Sequence, residues 1–306
     1  MSAFMRDIAS LTMDTKQKML LGSSANAVQR PASASDRAAE KAALTAAGYS
    51  GVEEHSTPFH AFLEHSTTLL YPVMLVLSLY FSLSRLHELE LLWLVALAIP
   101  LSLVLGDLVS GLVHWMADTY FSEDTPVIGQ SLVKPFRLHH LYPRDICTHG
   151  LVTTVGNVCI LAVPVLTVSI YLLWSWDDSS WLAFTILCVA LMSLATVLTN
   201  QFHKWAHQEK PSRMVCWLQR TRLVLPPTHH QIHHTKPFNM HYCITNGWLN
   251  PILNKIGFFR GLEGGLRFVG IEVASAVERK APGITTADEQ LAQQSPPPPP
   301  VLPGER

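Results

Sequence analysis

The chain has little charge, no cysteine pairing pattern and no excess of either sign. Only 15% of its 306 residues are Asp, Glu, Lys or Arg, against about 25% in soluble globular domains. Hydrophobic residues make up 48%, so the composition points to lipid rather than water as the solvent. The net charge is −1, so no global field attracts nucleic acid, and we expect no nucleic-acid partner.

The cysteines exclude two further classes of protein. There are five of them, an odd number, widely spaced and without a CxxC pair. Neither a disulfide framework nor a zinc ribbon is therefore indicated.

Four apolar stretches have the roughly 18 to 20 residues that cross a bilayer as a helix. The predicted spans are Thr67–Ser84, Leu89 to about Leu112, Leu151–Trp174 and Trp181–Thr199. Residues 1–55 lack sustained apolar periodicity, and the chain ends in a proline-rich run that cannot form a packed core. We predict an all-α, polytopic membrane domain at 56–275 with about four transmembrane helices, between disordered tails at 1–55 and 276–306.

The cations predict the orientation of these spans. Lys134, Arg137 and Arg144 precede the third span, and further cations follow the fourth from Lys204 to Arg222. Cytoplasmic loops carry an excess of Lys and Arg, so these segments and both termini are predicted to be cytosolic. The membrane would be the endoplasmic reticulum in a eukaryote and the inner membrane in a bacterium.

Histidine is abundant and clustered, with eleven of the fifteen between His114 and His241. All of these histidines flank the predicted spans at the cytosolic face. The candidate metal ligands are His114, Asp118, His139, His140, His149, His203, His207, His229, His230, His233 and His234. We expect the histidine-rich helices to form a cap over the membrane domain.

Spacing supports metal binding, because residues four apart share one face of a helix. His114 with Asp118, and His203 with His207, have this spacing, and HHQIHH at 229–234 places several imidazoles on overlapping faces. One closed zinc site takes four ligands, and this chain offers more imidazoles than that. Their number therefore predicts two metal ions. Asp107, Asp145 and Asn200 are predicted to orient the rings; an N-cap or interhelical bond is the alternative for Asp107.

The position of the metals beside lipid predicts chemistry on an alkyl chain. Removing hydrogen from an unactivated C–H bond needs a redox metal and O2, because side chains cannot supply the oxidant. We therefore predict two iron ions with O2 as co-substrate. Cations that could meet a lipid phosphate are Arg144, Lys204 and Lys236, although cations that flank a membrane are more often simple headgroup anchors.

Five segments carry a resemblance to a known family. They are GDLVSGLVHWMADTY (106–120), PFRLHHLYP (135–143), TNQFHKWAH (199–207), LPPTHHQIHH (225–234) and YCITNGWLNPILNKIGF (242–258). Together they make the chain similar to the Kua or CarF family of lipid desaturases. It departs from the family pattern at Gly150, where an acidic residue is expected.

The resemblance implies oxidation of the alkyl ether chain of a plasmanyl phospholipid to a vinyl ether, with electrons from a cytochrome b5-type donor. It places His203 and His207 in a first histidine box and His230, His233 and His234 in a second. His241 is not a family position, and we expect it to be solvent-exposed.

Three other functions stay open at this stage. A fatty acyl-lipid desaturase or hydroxylase would use the same metal site and differ only in substrate. A metal transporter would place His and Asp along a path at mid-bilayer. A b-type haem protein would need two axial histidines and would leave the others unexplained.

Overall fold

The structure is a computed structural model that describes the chain from Thr57 to Ile271. The described ranges are 57–122, 125–126, 128–141, 143–175, 179–235 and 237–271. They fall within the predicted membrane domain, whereas the predicted tails at 1–55 and 276–306 lie outside the described residues.

Helices form most of this part of the chain, and no strand occurs in it. The α-helices are α1 (Pro58–Glu88), α2 (Val95–Thr119), α3 (Lys134–Leu141), α4 (Leu151–Ser175), α5 (Ser180–His207), α6 (Arg213–Arg220), α7 (Pro227–His233), α8 (Asn250–Lys255) and α9 (Phe258–Phe268). Shorter turns are 3-10 helices at Leu92–Leu94 and Asp145–Thr148 and a π-helical turn at Gly129–Val133.

Four of these helices are long and apolar enough to cross a membrane: α1, Leu92–Thr119 including α2, α4 and α5. The all-α prediction with about four spans is therefore confirmed. α1 begins at Pro58, before its predicted stretch, and two helices continue past the C-terminal ends of theirs, α2 to Thr119 and α5 to His207. The polar residues of these extra turns remain helical because they find partners in the histidine cluster described below.

The spanning helices pack around α5, which contacts α1, α2 and α4. At one end of the bundle, Leu86, Ala98, Leu173 and Leu187 from the four helices form a common core. At the opposite end α2 packs instead against the C-terminal segment, through a core that includes Trp115. This second core joins the end of α2 to α8 and α9.

Close helix packing between α1 and α4 depends on Gly156. A Cβ atom at this position would lie 2.8 Å from the Cβ of Glu64, closer than real carbon atoms approach. Small residues at such points allow two spanning helices to approach closely. In lipid the hydrophobic effect does not drive helices together, so the van der Waals packing gained by this approach is what stabilises the pair.

We predict that Gly156→Leu lowers the thermal unfolding midpoint of the detergent-solubilised protein. The added side chain must push α1 away from α4, at a cost of roughly 1–3 kcal/mol. Gly150→Leu is the matched control, since a Cβ at Gly150 would meet nothing within 4 Å. Equal midpoints for the two variants would show that this contact does not limit stability.

Candidate metal centre

Two spanning helices carry ligand-type side chains in their last turns. His114 and Asp118 lie on α2, and their Nε2 and Oδ2 atoms are 3.4 Å apart. His203 and His207 lie on α5, with Nε2 atoms 3.3 Å apart. Each pair shares a helix face, as the four-residue spacing predicts.

Two short helices bring the other imidazoles over the ends of the spans. α3 carries His139 and His140, and α7 carries His230 and His233, with His234 at its C-cap. Neighbouring residues on a helix point about 100° apart. Each short helix therefore directs neighbouring histidines to two different groups of ligands, which are described next.

The first group contains five imidazoles, from His139, His203, His207, His230 and His234. The Nε2 atoms of His203 and His230 are 2.8 Å apart, and those of His234 and His139 are 3.1 Å apart. Neighbouring ligand atoms around an octahedral metal with bonds of about 2.1 Å are separated by about 3.0 Å. The group therefore has the spacing of a metal coordination sphere.

The second group contains His114, Asp118, His140 and His233. Asp118 Oδ2 lies 3.1 Å from His140 Nε2 and 3.6 Å from His233 Nε2. The two groups are neighbours, since the ring centroids of His140 and His234 are 5.4 Å apart. Three imidazoles and a carboxylate form a second donor set that could hold a metal ion.

Buried imidazoles in both groups are held neutral and offer lone pairs. Burial, reinforced by neighbouring imidazoles, holds the pKa of His139, His230 and His233 well below its usual value. The Nε2 atoms of His114 and His233 are buried and have no hydrogen-bond partner in the described part of the chain. A buried polar atom without a partner costs free energy, so these nitrogens fit a metal ion.

Two backbone carbonyls fix the tautomers of the second group. His114 Nδ1 donates to the Tyr242 carbonyl at 3.1 Å, and His233 Nδ1 donates to the Met240 carbonyl at 2.8 Å. With the proton on Nδ1, each Nε2 presents its lone pair to the second group. Sequence reasoning missed both partners because any residue can supply a carbonyl.

Asp107 holds the segment that contains the Tyr242 carbonyl. Its Oδ1 accepts hydrogen bonds from the backbone N–H groups of Asn246 and Gly247, and its Oδ2 accepts one from Leu249, at 2.9–3.1 Å. Asp107 therefore touches no ligand ring directly. It acts on the second group through the 242–250 segment, which α2 and α5 enclose.

Gly247 is required in this segment for two reasons. Its φ is +74°, and a Cβ there would lie 2.6 Å from Cδ2 of His229. Any other residue would be strained at this φ and would press against the His229 ring.

The other predicted residues lie outside both groups. His149 Nε2 is 3.2 Å from Asp145 Oδ2, and Asn200 donates to the Thr154 carbonyl at 3.1 Å. His229 packs against His241, with ring centroids 4.4 Å apart. The structure does not bring these side chains to the ligand atoms of either group.

The predicted headgroup cations have protein partners. Arg144 pairs with Glu209 at 2.6 Å, and Lys204 donates to the His149 carbonyl. Lys236 lies outside the described residues. Binding of a lipid phosphate by Arg144 or Lys204 would have to compete with these contacts.

The expectation that His241 is solvent-exposed is wrong, since only 8% of its surface is accessible. The chain bends sharply there, with φ of +60°, and turns the ring inward against His229. Composition carries no signal for this left-handed turn at a histidine.

Apolar spanning helices beside two clusters of buried imidazoles, one of them with a carboxylate, define a membrane protein able to hold metal ions. Residues 103–272, more than half of the chain, match the lipid desaturase domain family. The chain belongs to this family, and it is an oxidoreductase that acts on lipid substrates in the membrane. No solved structure gives a significant match.

Curated relatives support the family assignment. The chain is 39% identical over 223 residues to the plasmanylethanolamine desaturase of Myxococcus xanthus, covering 68% of this chain and 78% of the relative. Identity to plasmanylethanolamine desaturase 1 of Mus musculus is 37%, covering 56% and 64%. Identity to the chloroplastic fatty acid desaturase 4 of Arabidopsis thaliana is 32%, covering 52% and 48%.

We predict that Asp107→Asn reduces the metal bound per chain by up to half. Asn would set an amide N–H group against the backbone N–H donors, which costs about 1–3 kcal/mol. The loss displaces the Tyr242 carbonyl, which orients His114 in the second group. Metal content is measured by mass spectrometry of the purified protein. Asp145→Asn is the matched control because its carboxylate contacts His149 outside both groups; equal metal in the two variants would contradict this role.

The stability of the metal-free protein should fall as the pH drops below about 6.5. Burial lowers the pKa of His241 to about 3 and that of His229 to about 4, whereas both rings take up protons near pH 6.5 when unfolded. The unfolded state therefore binds more protons between about pH 6.5 and 4, and stability falls by up to about 1.4 kcal/mol per pH unit for each ring.

The unfolding midpoint measured from pH 7.5 to 4.5 tests this prediction. His241→Gln should make the curve less steep, because one ring fewer takes up a proton on unfolding, and His65→Gln, at an exposed position, should leave it unchanged. A curve for His241→Gln as steep as that of the wild type would contradict the assignment to this pair.

Proposed function

We propose that this protein is a plasmanylethanolamine desaturase. It converts the alkyl ether chain of a plasmanyl phospholipid to a vinyl ether, the reaction that forms a plasmalogen. The observation that carries the proposal is the pair of adjacent donor sets, five imidazoles beside three imidazoles and a carboxylate, at one end of four apolar helices. The names of the bacterial and mouse relatives support the choice of substrate.

Each donor set would hold one iron ion. The ligands would be His139, His203, His207, His230 and His234 for one ion, and His114, Asp118, His140 and His233 for the other. Imidazole and carboxylate suit iron, although affinity alone does not select it. When bound, the two ions would supply the O2 chemistry that removes hydrogen from an unactivated C–H bond.

The balance of the reaction defines its partners. Two hydrogens leave the alkyl chain, and O2 is reduced to two waters with two additional electrons and two protons. We propose a cytochrome b5-type protein as the electron donor, as the family resemblance implies, because amino-acid side chains do not supply such electrons. The phospholipid itself enters from the membrane.

The donor sets lie just beyond the apolar parts of the spans, which fits formation of a double bond near the headgroup end of the lipid chain. The predicted apolar part of α5 ends at Thr199, and His203 follows four residues later, about 6 Å along the helix. His114 follows Leu112, the predicted end of the apolar part of the second span, by two residues. The first carbons of an ether chain, next to the glycerol, reach this level of a bilayer more easily than its middle carbons.

The protein's own residues exclude water from the donor sets and fix the orientation of the histidine rings. His114, His203, His230 and His233 are each at most 3% accessible, so the rings meet the lipid chain in a site of low dielectric constant. The Tyr242 and Met240 carbonyls hold two of the rings in one tautomer. The ligand geometry is thus set before substrate binds.

The same depth also fits an acyl-lipid desaturase that acts near the carboxyl end, and the Arabidopsis relative is named a fatty acid desaturase. This is the second candidate function. A metal transporter is disfavoured because the donor sets lie beyond the apolar parts of the spans rather than at mid-bilayer. A b-haem needs only two of the eight clustered imidazoles.

We propose that the metal centre and both termini face the cytosol, in the endoplasmic reticulum of a eukaryote or the inner membrane of a bacterium. The cations beside the histidine segments support this orientation. Residues 56–275 would form the catalytic domain, between terminal segments at 1–55 and 276–306.

Lipid mass spectrometry of desaturase-deficient cells tests the reaction. Cells that express the wild type should accumulate acid-labile vinyl ether lipids, and His230→Ala should lose at least ten-fold of this product because it removes one ligand from the first donor set. His65→Ala, an exposed histidine on α1, is the matched control and should match the wild type.

The alternative outcomes separate the parts of the proposal. A new acyl double bond without vinyl ether would support the second candidate and reject the plasmanyl substrate. Full activity of His230→Ala would reject the assignment of the first donor set. Purified protein with fewer than two irons per active chain would reject the two-iron centre.

A further inference from the structure

The outward face of α6 combines apolar side chains with cations. Met214 is 63% accessible and Trp217 is 58% accessible, and Leu223 in the following turn is 40% accessible. The opposite face is packed: Val215 is buried, and the Gln219 amide donates to the Trp205 carbonyl at 3.2 Å. The helix is therefore fixed to α5 and presents a mixed apolar and cationic surface outward.

This surface is positively charged. Residues 208–235 contain a single acidic residue, Glu209, and it pairs with Arg144. The same stretch contains four exposed cations: Lys210, Arg213, Arg220 and Arg222. The face of α6 thus suits an anionic partner.

Hydrogen bonds hold the turn after α6 level with the end of the predicted apolar part of α5. The backbone N–H of Leu225 donates to the Thr245 carbonyl at 3.0 Å, and the Thr245 and Thr199 hydroxyls are 2.7 Å apart. Thr199 is the last residue of the apolar part of α5. The turn after α6 is held at this level because Trp248 Nε1 donates to the Arg222 carbonyl at 2.6 Å.

We propose that α6 and the turn Thr221–Leu223 form a binding surface for anionic phospholipid. Trp217 and Leu223 enter the boundary between headgroups and acyl chains, where Trp is favoured. Arg220 and Arg222 extend to lipid phosphates while their aliphatic stems stay on the apolar side. An acidic electron-donor protein would match the charge, but the level of the turn with Thr199 favours lipid.

The level of Trp217 can be measured by fluorescence quenching in lipid nanodiscs. Wild type and Trp217→Phe are reconstituted with phospholipid brominated on the acyl chain near the headgroup, and separately exposed to aqueous iodide. The difference between the two proteins isolates the emission of Trp217. We expect this emission to be quenched by the brominated lipid and protected from iodide.

Two results would overturn the proposal. Quenching of Trp217 by iodide and not by brominated lipid would place the face of α6 in water. Protection from iodide only after a soluble acidic cytochrome is added would identify the surface as a donor-docking site. Neither result depends on the reaction at the metal centre, so the lipid surface and the proposed function fail independently.

The preference of this surface for anionic over zwitterionic lipid, measured at Trp217, tests the role of the two arginines. Brominated anionic lipid is mixed with unbrominated zwitterionic lipid, and the quenching of Trp217 gives the relative binding constant. Arg220→Gln with Arg222→Gln should lower this constant by up to about fivefold per arginine. Arg85→Gln, at the far end of α1 and paired with Glu88, is the control; an unchanged constant in the double variant would reject the role of the arginines.

Discussion

The structure depends on the convergence of buried, neutral imidazole lone pairs. Eight histidines and Asp118 direct nitrogen and oxygen atoms to two neighbouring points. Each ring loses hydration when it is buried, and lone pairs 2.8–3.3 Å apart repel unless a proton or a metal ion lies between them. Such a cluster costs free energy, which is offset where the surrounding structure holds every ring in place and a cation compensates for the lost hydration.

The supports for this cluster come from within the membrane domain. Asp107 lies seven residues before His114 on α2, below the level of the ligands, and it secures the 242–250 segment through three backbone N–H groups. Irregular backbone at this depth is tolerated only when protein encloses it and satisfies its polar groups. The Asn250 side chain adds two bonds to Cys243. The segment thus acts as a rigid template for the second donor set.

The sequence predicts the helices better than it predicts the division of the ligands. Apolar length identifies the four spans, and the four-residue spacing correctly pairs His203 with His207 on one helix face. The sequence does not predict that His233 joins one donor set while His230 and His234 join the other. The HHQIHH spacing places all three on overlapping faces of one helix, and the position of the neighbouring helices determines which set each ring joins. The burial of His241 and the two carbonyl partners depend on backbone turns that side-chain identity does not encode.

The two donor sets are mechanically coupled because they share helices. His139 and His140 are adjacent on α3 and serve different sets, as do His233 and His234 at the end of α7. A shift of either helix that improves one set must displace a ligand of the other, since both rings move with the same backbone. The two sets therefore cannot be optimised separately, and their common geometry is decided by how α3 and α7 pack over α2 and α5. That dependence ties the metal centre to the packing of the spanning helices, and with it to the membrane.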